Sequence, residues 1–410
     1  MCPKTPFNPR ELFSNMYTCP LSRRDLFRGA LGAGITIVGL GCSDSGSQTG
    51  TDTESESELE FNTDRDTGAA DGDTDTDSDS DSDYDSDSDS DTDSDTDSDT
   101  DSDTDSDTDS DTDADTDTGS NKSIVYVIST TDRTSGLATL LSMVDLSFAN
   151  GKDVVIKPNY NSANPFPAST HDDTVTGVVQ ALKNAGCGNI TLAESSGPAG
   201  TETVIADKGT LNLCNTLGID FENLDNAQYD TFSFTGMTWP GGSLAIPSIM
   251  RSDRAVVLLP CLKTHAWGNF TLSMKIAVGL VPRDRRWSEL HPGAAGDRGL
   301  IAEINAGYTP DLIVLDGISA FRTGGPDDGD ICYPGLLLAS TDRVAIDAVG
   351  VAILKMNDAQ YVSGTPIYEQ EQIARAVEIG LGAPSPADIE LVGNNNDQVL
   401  SDIRAMLDQG

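Results

Sequence analysis

The sequence predicts an α/β domain with a mainly parallel sheet flanked by helices, preceded by a signal peptide and a disordered acidic linker. Three observations lead to this prediction. From residue 122 onward, short apolar runs alternate with helical segments, as they do in βαβ units. The preceding segment is a charged repeat with almost no apolar side chain, and the first 42 residues have the features of an export signal. The predicted boundaries are therefore 1–42, 43–121 and 122–410.

The N-terminal segment is predicted to be a targeting signal. Residues 22–28, Ser-Arg-Arg-Asp-Leu-Phe-Arg, resemble the twin-arginine export motif, and a weakly apolar stretch follows at 29–41. That stretch is shorter than the roughly 20 residues that span a bilayer, but it suits the core of a signal peptide. Cys42 follows a sequence that resembles a lipoprotein cleavage site, although Gly39 replaces the usual large aliphatic residue. We expect lipidation at Cys42; a non-lipidated signal cut nearby is the alternative.

Residues 43–120 are predicted to be a stretched, disordered tether. They contain 32 acidic side chains and one arginine, so −31 of the net charge of −42 lies there. Alternating Asp-Ser and Asp-Thr dipeptides bury too little apolar surface to offset the entropy of ordering. We therefore expect export through the twin-arginine machinery and a lipid anchor in a membrane, in the periplasm or at the cell surface. Nucleic acid is excluded as a partner, because no basic face or arm is visible.

The globular part is predicted to contain alternating strands and helices. The predicted strands lie at residues 124–128, 153–156, 190–193, 255–262, 312–315 and 389–392. The predicted helices lie near 135–144, from 171 to 185, and near 202–217, 300–306, 342–354, 366–380 and 399–407. The helix after Thr170 has the clearest signal, because its apolar residues recur with helical spacing and Gly186 follows them.

Four predicted strands deliver an ionisable residue close to their carboxyl ends. These residues are Lys157, Glu194, Lys263 and Asp316. Open α/β sheets bind ligands in a crevice outside the carboxyl ends of their strands. The sequence therefore predicts one shared site at this edge of the sheet.

The segment 255–291 adds a basic, hydrogen-bonding cluster to that edge. Two of the three histidines in the chain, His265 and His291, lie in it, together with Lys263, Lys275 and several arginines. Such a cluster at the end of a buried strand is typical of sites for anionic ligands or acid–base chemistry.

The motifs in this part of the chain resemble those of the domain of unknown function 362 family. The matching segments are 156–159, 169–171, 259–265, 272–275, His291, 314–317, 325–329 and 339–348, in the order of the family and across nearly all of 122–393. Ile276 departs from the Lys-Asn pair that is frequent in the family, and the ferredoxin-like segment of some relatives is absent. The resemblance implies the fold and the shared motif residues, but no particular chemistry.

Candidate roles follow from the chemistry of the side chains. Lysines suit recognition of a carboxylate or phosphate, and a desolvated lysine can act as a base or a Schiff-base amine. We predict ligand binding by Lys157, Asn159, Thr170, His171, Lys263, Thr264 and Asn269, and catalysis by His265, His291, Lys275, Glu194 and Asp316. Alternatively, Glu194 and Asp316 only form ion pairs with the lysines, and His171 belongs to a helix-capping turn.

The cofactor is left unknown by the sequence. His265 and His291 are candidate metal ligands, but no closely spaced histidine pair supports a metal site. No Cys-x-x-Cys pair supports an iron–sulfur cluster. We predict an exported, membrane-tethered enzyme that depends on a cofactor or metal and acts on a small anionic substrate; the alternative is a tethered protein that binds an anionic ligand without catalysis.

Overall fold

The computed structural model describes residues 122–290 and 297–409. The strands are β1 Ser123–Ser129, β2 Val154–Pro158, β3 Ile190–Glu194, β4 Asp220–Asn223, β5 Tyr229–Phe232, β6 Leu244–Pro247, β7 Ala255–Leu259, β8 Cys261–His265, β9 Asn269–Thr271, β10 Leu312–Phe321, β11 Ile331–Cys332, β12 Leu336–Ser340 and β13 Ile389–Gly393. The longer helices are α1 Arg133–Met143, α2 Asp172–Asn184, α3 Thr201–Lys208, α4 Thr210–Leu217, α5 Gly299–Asn305, α6 Arg343–Met356, α7 Glu371–Glu378 and α8 Asp397–Asp408. The predicted signal, 1–42, and the whole predicted acidic linker, 43–121, lie outside the described residues.

The main sheet confirms the predicted α/β class. Its strand order is β13-β1-β12-β10-β7-β2-β3-β4. The run β10-β7-β2-β3-β4 is parallel throughout. The carboxyl ends of these strands therefore meet along one edge, which is the geometry of the predicted ligand crevice.

Helices cover both faces of the sheet. One core cluster joins α1, α2, α3 and α4 to sheet residues such as Ile156 and Val314. The other joins α5, α6, α7 and α8 to residues such as Val155 and Leu315. Neighbouring residues of one strand thus enter different cores, because side chains alternate between the two faces of a strand.

Several elements differ from the sequence prediction for local reasons. The predicted strand 255–262 is two strands, β7 and β8, interrupted at Pro260, which has no N–H for a ladder hydrogen bond. The predicted helix 202–217 is interrupted at Gly209, whose φ of +71° is left-handed. The strand β12 was not predicted; it lies antiparallel between β1 and β10 and makes that side of the sheet mixed.

In the described part of the chain, no helix is both long enough and apolar enough to cross a bilayer.

Candidate functional site

A buried ion pair joins the ends of the neighbouring strands β2 and β3. The Nζ of Lys157 lies 2.5 Å from Oε1 of Glu194, and both side chains are almost completely buried. Glu194 also accepts hydrogen bonds from the backbone N–H groups of Ser195 and Tyr160, each at 2.8 Å. Its two oxygens are therefore occupied, and Glu194 serves to hold Lys157 and the backbone around it. Burial lowers the pKa of Lys157, and the nearby carboxylate of Glu194 counteracts that effect.

Lys263 is completely buried without a carboxylate bonded to it. Its Nζ donates to the carbonyl of Ala168 and, at 2.9 Å, to that of Pro326. The loop that carries Pro326 lies directly on β8, since a Cβ on Gly325 would come within 2.0 Å of the Thr264 carbonyl oxygen. Gly325 also has a φ of +77°, so only glycine fits this position. Carbonyls compensate a buried charge only partly, and burial therefore lowers the pKa of Lys263.

Lys275 has the least compensated charge of the three lysines. It is 8% exposed, and none of the described residues forms a hydrogen bond or an ion pair with its amine. Burial, followed by the positive charges of Lys263 and Arg286, lowers its pKa from 10.5 to about 7. At neutral pH its amine is thus partly unprotonated, as a base or a nucleophile must be.

The backbone before Lys275 is held by the buried carboxylate of Asp347 on α6. Asp347 accepts from the N–H of Ser273 at 2.8 Å, from the Ser273 hydroxyl at 2.6 Å and from the N–H of Met274 at 3.0 Å. The Nδ2 of Asn305 donates to the Met274 carbonyl at 3.0 Å. Through these bonds Asp347 holds the main chain and positions the turn Lys275–Leu280.

Arg286 is a site residue that the sequence reasoning did not select. It is 6% exposed, and its guanidinium donates to the carbonyls of Ser195, Ser196, Gly279 and Val281. Because Lys275 and Lys157 both feel its charge, it belongs with them. Its position among Arg283 and Arg285 was visible in the sequence, but nothing there showed which arginine is buried.

These four residues, Lys157, Lys263, Lys275 and Arg286, form what we call the cationic cluster. Glu194 is the acid bonded directly to it. Asp327 acts on Lys263 through space, but its Oδ1 already accepts from Asn161 at 3.0 Å and Ser162 at 2.8 Å. The cluster thus carries more positive than negative charge inside the protein, an arrangement that favours binding of an anion.

The ring of His265 is oriented by the turn that follows β8. Its Nδ1 accepts from the backbone N–H groups of Trp267 at 3.0 Å and Gly268 at 3.1 Å. Nδ1 therefore has no proton, and in the neutral ring Nε2 carries the hydrogen. A metal at Nε2 would have to displace that hydrogen, and the metal-ligand role of His265 with His291 stays a prediction, because His291 lies outside the described residues. Within 122–290 and 297–409, no group of three or more His, Cys, Asp or Glu could hold a metal ion.

Asp316 does not lie with the lysines, contrary to the prediction. It follows the alternation of Leu312 and Val314 into the core beneath α1 and α2. There it accepts from Nε of Arg133 at 2.6 Å and from the hydroxyl of Thr174 at 2.7 Å. Asp316 is thus neutralised on the other face of the sheet and cannot orient Lys263 or Lys275.

His171 is the N-cap of α2. Its Nδ1 accepts from the N–H of Asp173 at 3.1 Å, and its ring contacts Phe166 edge-to-face. Burial, and then the charge of Arg133, lower its pKa. The capping alternative therefore describes His171 better than an anion-binding loop at the cationic cluster.

The remaining predicted binding residues have mixed environments. The hydroxyls of Thr170 and Thr264 donate to the carbonyls of Leu259 and Phe321, so both are committed to the backbone. Asn159 is 7% exposed, and its Nδ2 has no hydrogen-bond partner among the described residues. Asn269 has a φ of +65° and closes the turn between β8 and β9. Of these four residues, Asn159 has the buried donor that a ligand would satisfy. His291 lies outside the described residues.

Comparison with known proteins supports the predicted family. Residues 154–352 match the model of the family described as Domain of unknown function (DUF362), which confirms the motif resemblance for that part of the chain. The thylakoid-associated protein sll1697 of Synechocystis sp. is 30% identical over 216 residues. The match covers 51% of this chain and 65% of that protein, so the chain spans less than two thirds of its relative.

One solved structure that resembles this chain is the lactate racemase apoprotein from Thermoanaerobacterium thermosaccharolyticum. The two share 10% sequence identity, and the match covers 68% of this chain and 85% of that one, with a TM-score of 0.30.

The lowered pKa of Lys275 predicts how the free energy of unfolding changes with pH. The folded protein releases the Lys275 proton near pH 7, whereas the unfolded chain holds it up to its ordinary value of 10.5. Unfolding between these values takes up a proton, so the free energy of unfolding rises with pH across this window. We expect Lys275→Met to remove a rise on the order of a few kcal/mol.

Denaturant unfolding at several pH values from about 6 to 10 measures this effect. Lys152→Met is the matched control, because Lys152 is exposed, and it should keep the slope of the wild type. Equal slopes for wild type and Lys275→Met would show that the Lys275 amine has an ordinary pKa.

Proposed function

We propose that this chain, whose residues 154–352 match the model of the family described as Domain of unknown function (DUF362), binds a small anion at the cationic cluster and acts on it as an enzyme. The ligand class is a carboxylate or a phosphate. The observation that carries the proposal is the buried amine of Lys275, which has no acidic partner among the described residues and lies near two further cations. An anion would supply the missing negative charge.

The proposed division of roles follows from the contacts. Lys263 and Arg286 attract the anion, since both are basic, buried and bonded mainly to carbonyl oxygens. Lys157 is held by Glu194 and keeps that part of the cluster in place. Lys275 provides the reactive amine, and His265, held through Nδ1 by two backbone N–H groups, provides a hydrogen bond from Nε2 to the substrate.

A binding protein without catalysis is the second candidate function. It is favoured by the contacts of Glu194. Both of its carboxylate oxygens already accept hydrogen bonds, from Lys157, Ser195 and Tyr160. A general base among the carboxylates bonded to the cluster is therefore lacking within the described residues. The two functions share the anion and differ only in whether Lys275 reacts.

We also propose that the domain is exported by the twin-arginine route and held at a membrane through a lipid on Cys42. The support comes from the sequence of residues 22–28, the apolar stretch at 29–41 and the acidic segment at 43–120. Self-repulsion along that segment would extend it and keep the domain away from the membrane surface.

Anion binding is tested by thermal unfolding in the presence of sulfate. We expect millimolar sulfate to raise the Tm of the wild type, because binding to the folded state alone stabilises it. Lys263→Met and Lys275→Met should each lose most of this increase.

Sulfate also stabilises proteins by exclusion from their surface, and Lys152→Met controls for that contribution. If all four proteins respond equally to sulfate, the cationic cluster does not bind anions.

The tether is tested by fractionation of the native host. Wild-type protein should sediment with membranes, whereas Cys42→Ser should appear in the soluble fraction, because a lipidated cysteine supplies the anchor. Cys19→Ser precedes the expected cleavage site and should behave as the wild type. Replacing Arg23 and Arg24 by lysine should block export. Soluble wild-type protein, or membrane-bound Cys42→Ser, would contradict the anchor.

A further inference from the structure

The surroundings of Lys275 are those of an amine kept available for reaction. Lys275 is only 8% exposed, yet its nitrogen has no hydrogen bond or ion pair with any described residue. Buried amines in folded proteins are usually paired, because an isolated charge in the interior is costly. No hydrogen bond to a described residue therefore has to be broken before the Lys275 nitrogen can attack.

Gly268 lets the Lys275 side chain lie directly against the turn after β8. Gly268 has no side chain, and a Cβ at this position would come within 2.9 Å of Cε of Lys275. On the other side, the backbone leading to Lys275 is held by the carboxylate of Asp347 through Ser273 and Met274. The position of Lys275 is thus set from both directions, which is how folds prepare a nucleophile.

We propose that Lys275 forms an imine with the carbonyl carbon of a small 2-oxo acid. This inference rests on the proposed function and names its substrate class. A 2-oxo acid has the electrophile that an amine requires and, on the adjacent carbon, the negative charge that Lys263 and Arg286 require. A phosphate offers the charge without the electrophile.

The step balances without a further reactant. The neutral Nζ attacks the carbonyl carbon, and a C–N bond forms while the carbonyl oxygen takes up a proton. The resulting carbinolamine loses that oxygen as water, which removes both original N–H hydrogens of the amine and leaves a C=N bond. The first of these hydrogens passes to the carbonyl oxygen as the C–N bond forms, and the second leaves with that oxygen as water, so the step needs no further proton donor.

The experiment uses the full-length protein, pyruvate as the probe and cyanoborohydride as the reductant, at about pH 7. Reduction of the imine leaves a stable secondary amine, heavier than the original lysine by the mass of pyruvic acid less one oxygen atom. Intact mass spectrometry should show a single adduct, and peptide mapping should place it on Lys275. Adduct at Lys275 should exceed that at any exposed lysine by about tenfold or more, because those amines stay protonated at this pH.

Lys275→Arg and Lys275→Met should abolish the adduct, while Lys152→Arg should retain it. An adduct spread over exposed lysines, or one that persists in Lys275→Met, overturns the imine. If sulfate stabilises the wild type but no adduct forms, the imine fails and anion binding stands. If neither sulfate stabilisation nor an adduct is observed, the proposed function fails as well. The mapping on wild-type protein decides the matter even if a variant does not fold.

Discussion

An excess of buried positive charge is the constraint on which the candidate site depends. Lys263 and Lys275 are inside the protein without a bonded carboxylate, whereas Lys157 has Glu194. Taking an unpaired charge out of water is costly, so such a group either loses its proton or acquires a counter-charge. Without a ligand, Lys275 loses its proton near pH 7. A bound anion would supply a counter-charge and keep the amine protonated. Ligand binding and protonation of Lys275 are therefore coupled.

Much of the fold could be predicted from the sequence, because it depends on local patterns. Apolar runs bounded by polar residues gave the positions of the parallel strands, and α2 followed from helical spacing with Gly186 behind it. Strand pairing between distant segments of the chain could not be predicted. The run 336–339 is apolar, but its antiparallel insertion between β1 and β10 depends on pairing partners far away in the chain.

The candidate site could be predicted in part for the same reason. Strand ends identified Lys157, Glu194 and Lys263, because parallel strands bring their carboxyl ends to one edge. The same reasoning misplaced Asp316, since the face that a strand-end side chain takes depends on register, and a shift of one residue reverses it. Arg286 was missed because its burial arises from carbonyls of the distant segment 195–196, which no local pattern reveals.

Proton uptake on anion binding would show whether a bound anion restores the charge of Lys275. Calorimetric titration with sulfate at about pH 7.5, in buffers of different ionisation enthalpy, counts the protons taken up, and sulfate itself does not titrate there. We expect the wild type to bind sulfate and to take up a fraction of a proton, at most about one, as Lys275 becomes charged. Lys275→Met should take up almost none. Binding without proton uptake, or equal uptake in both proteins, would contradict the account.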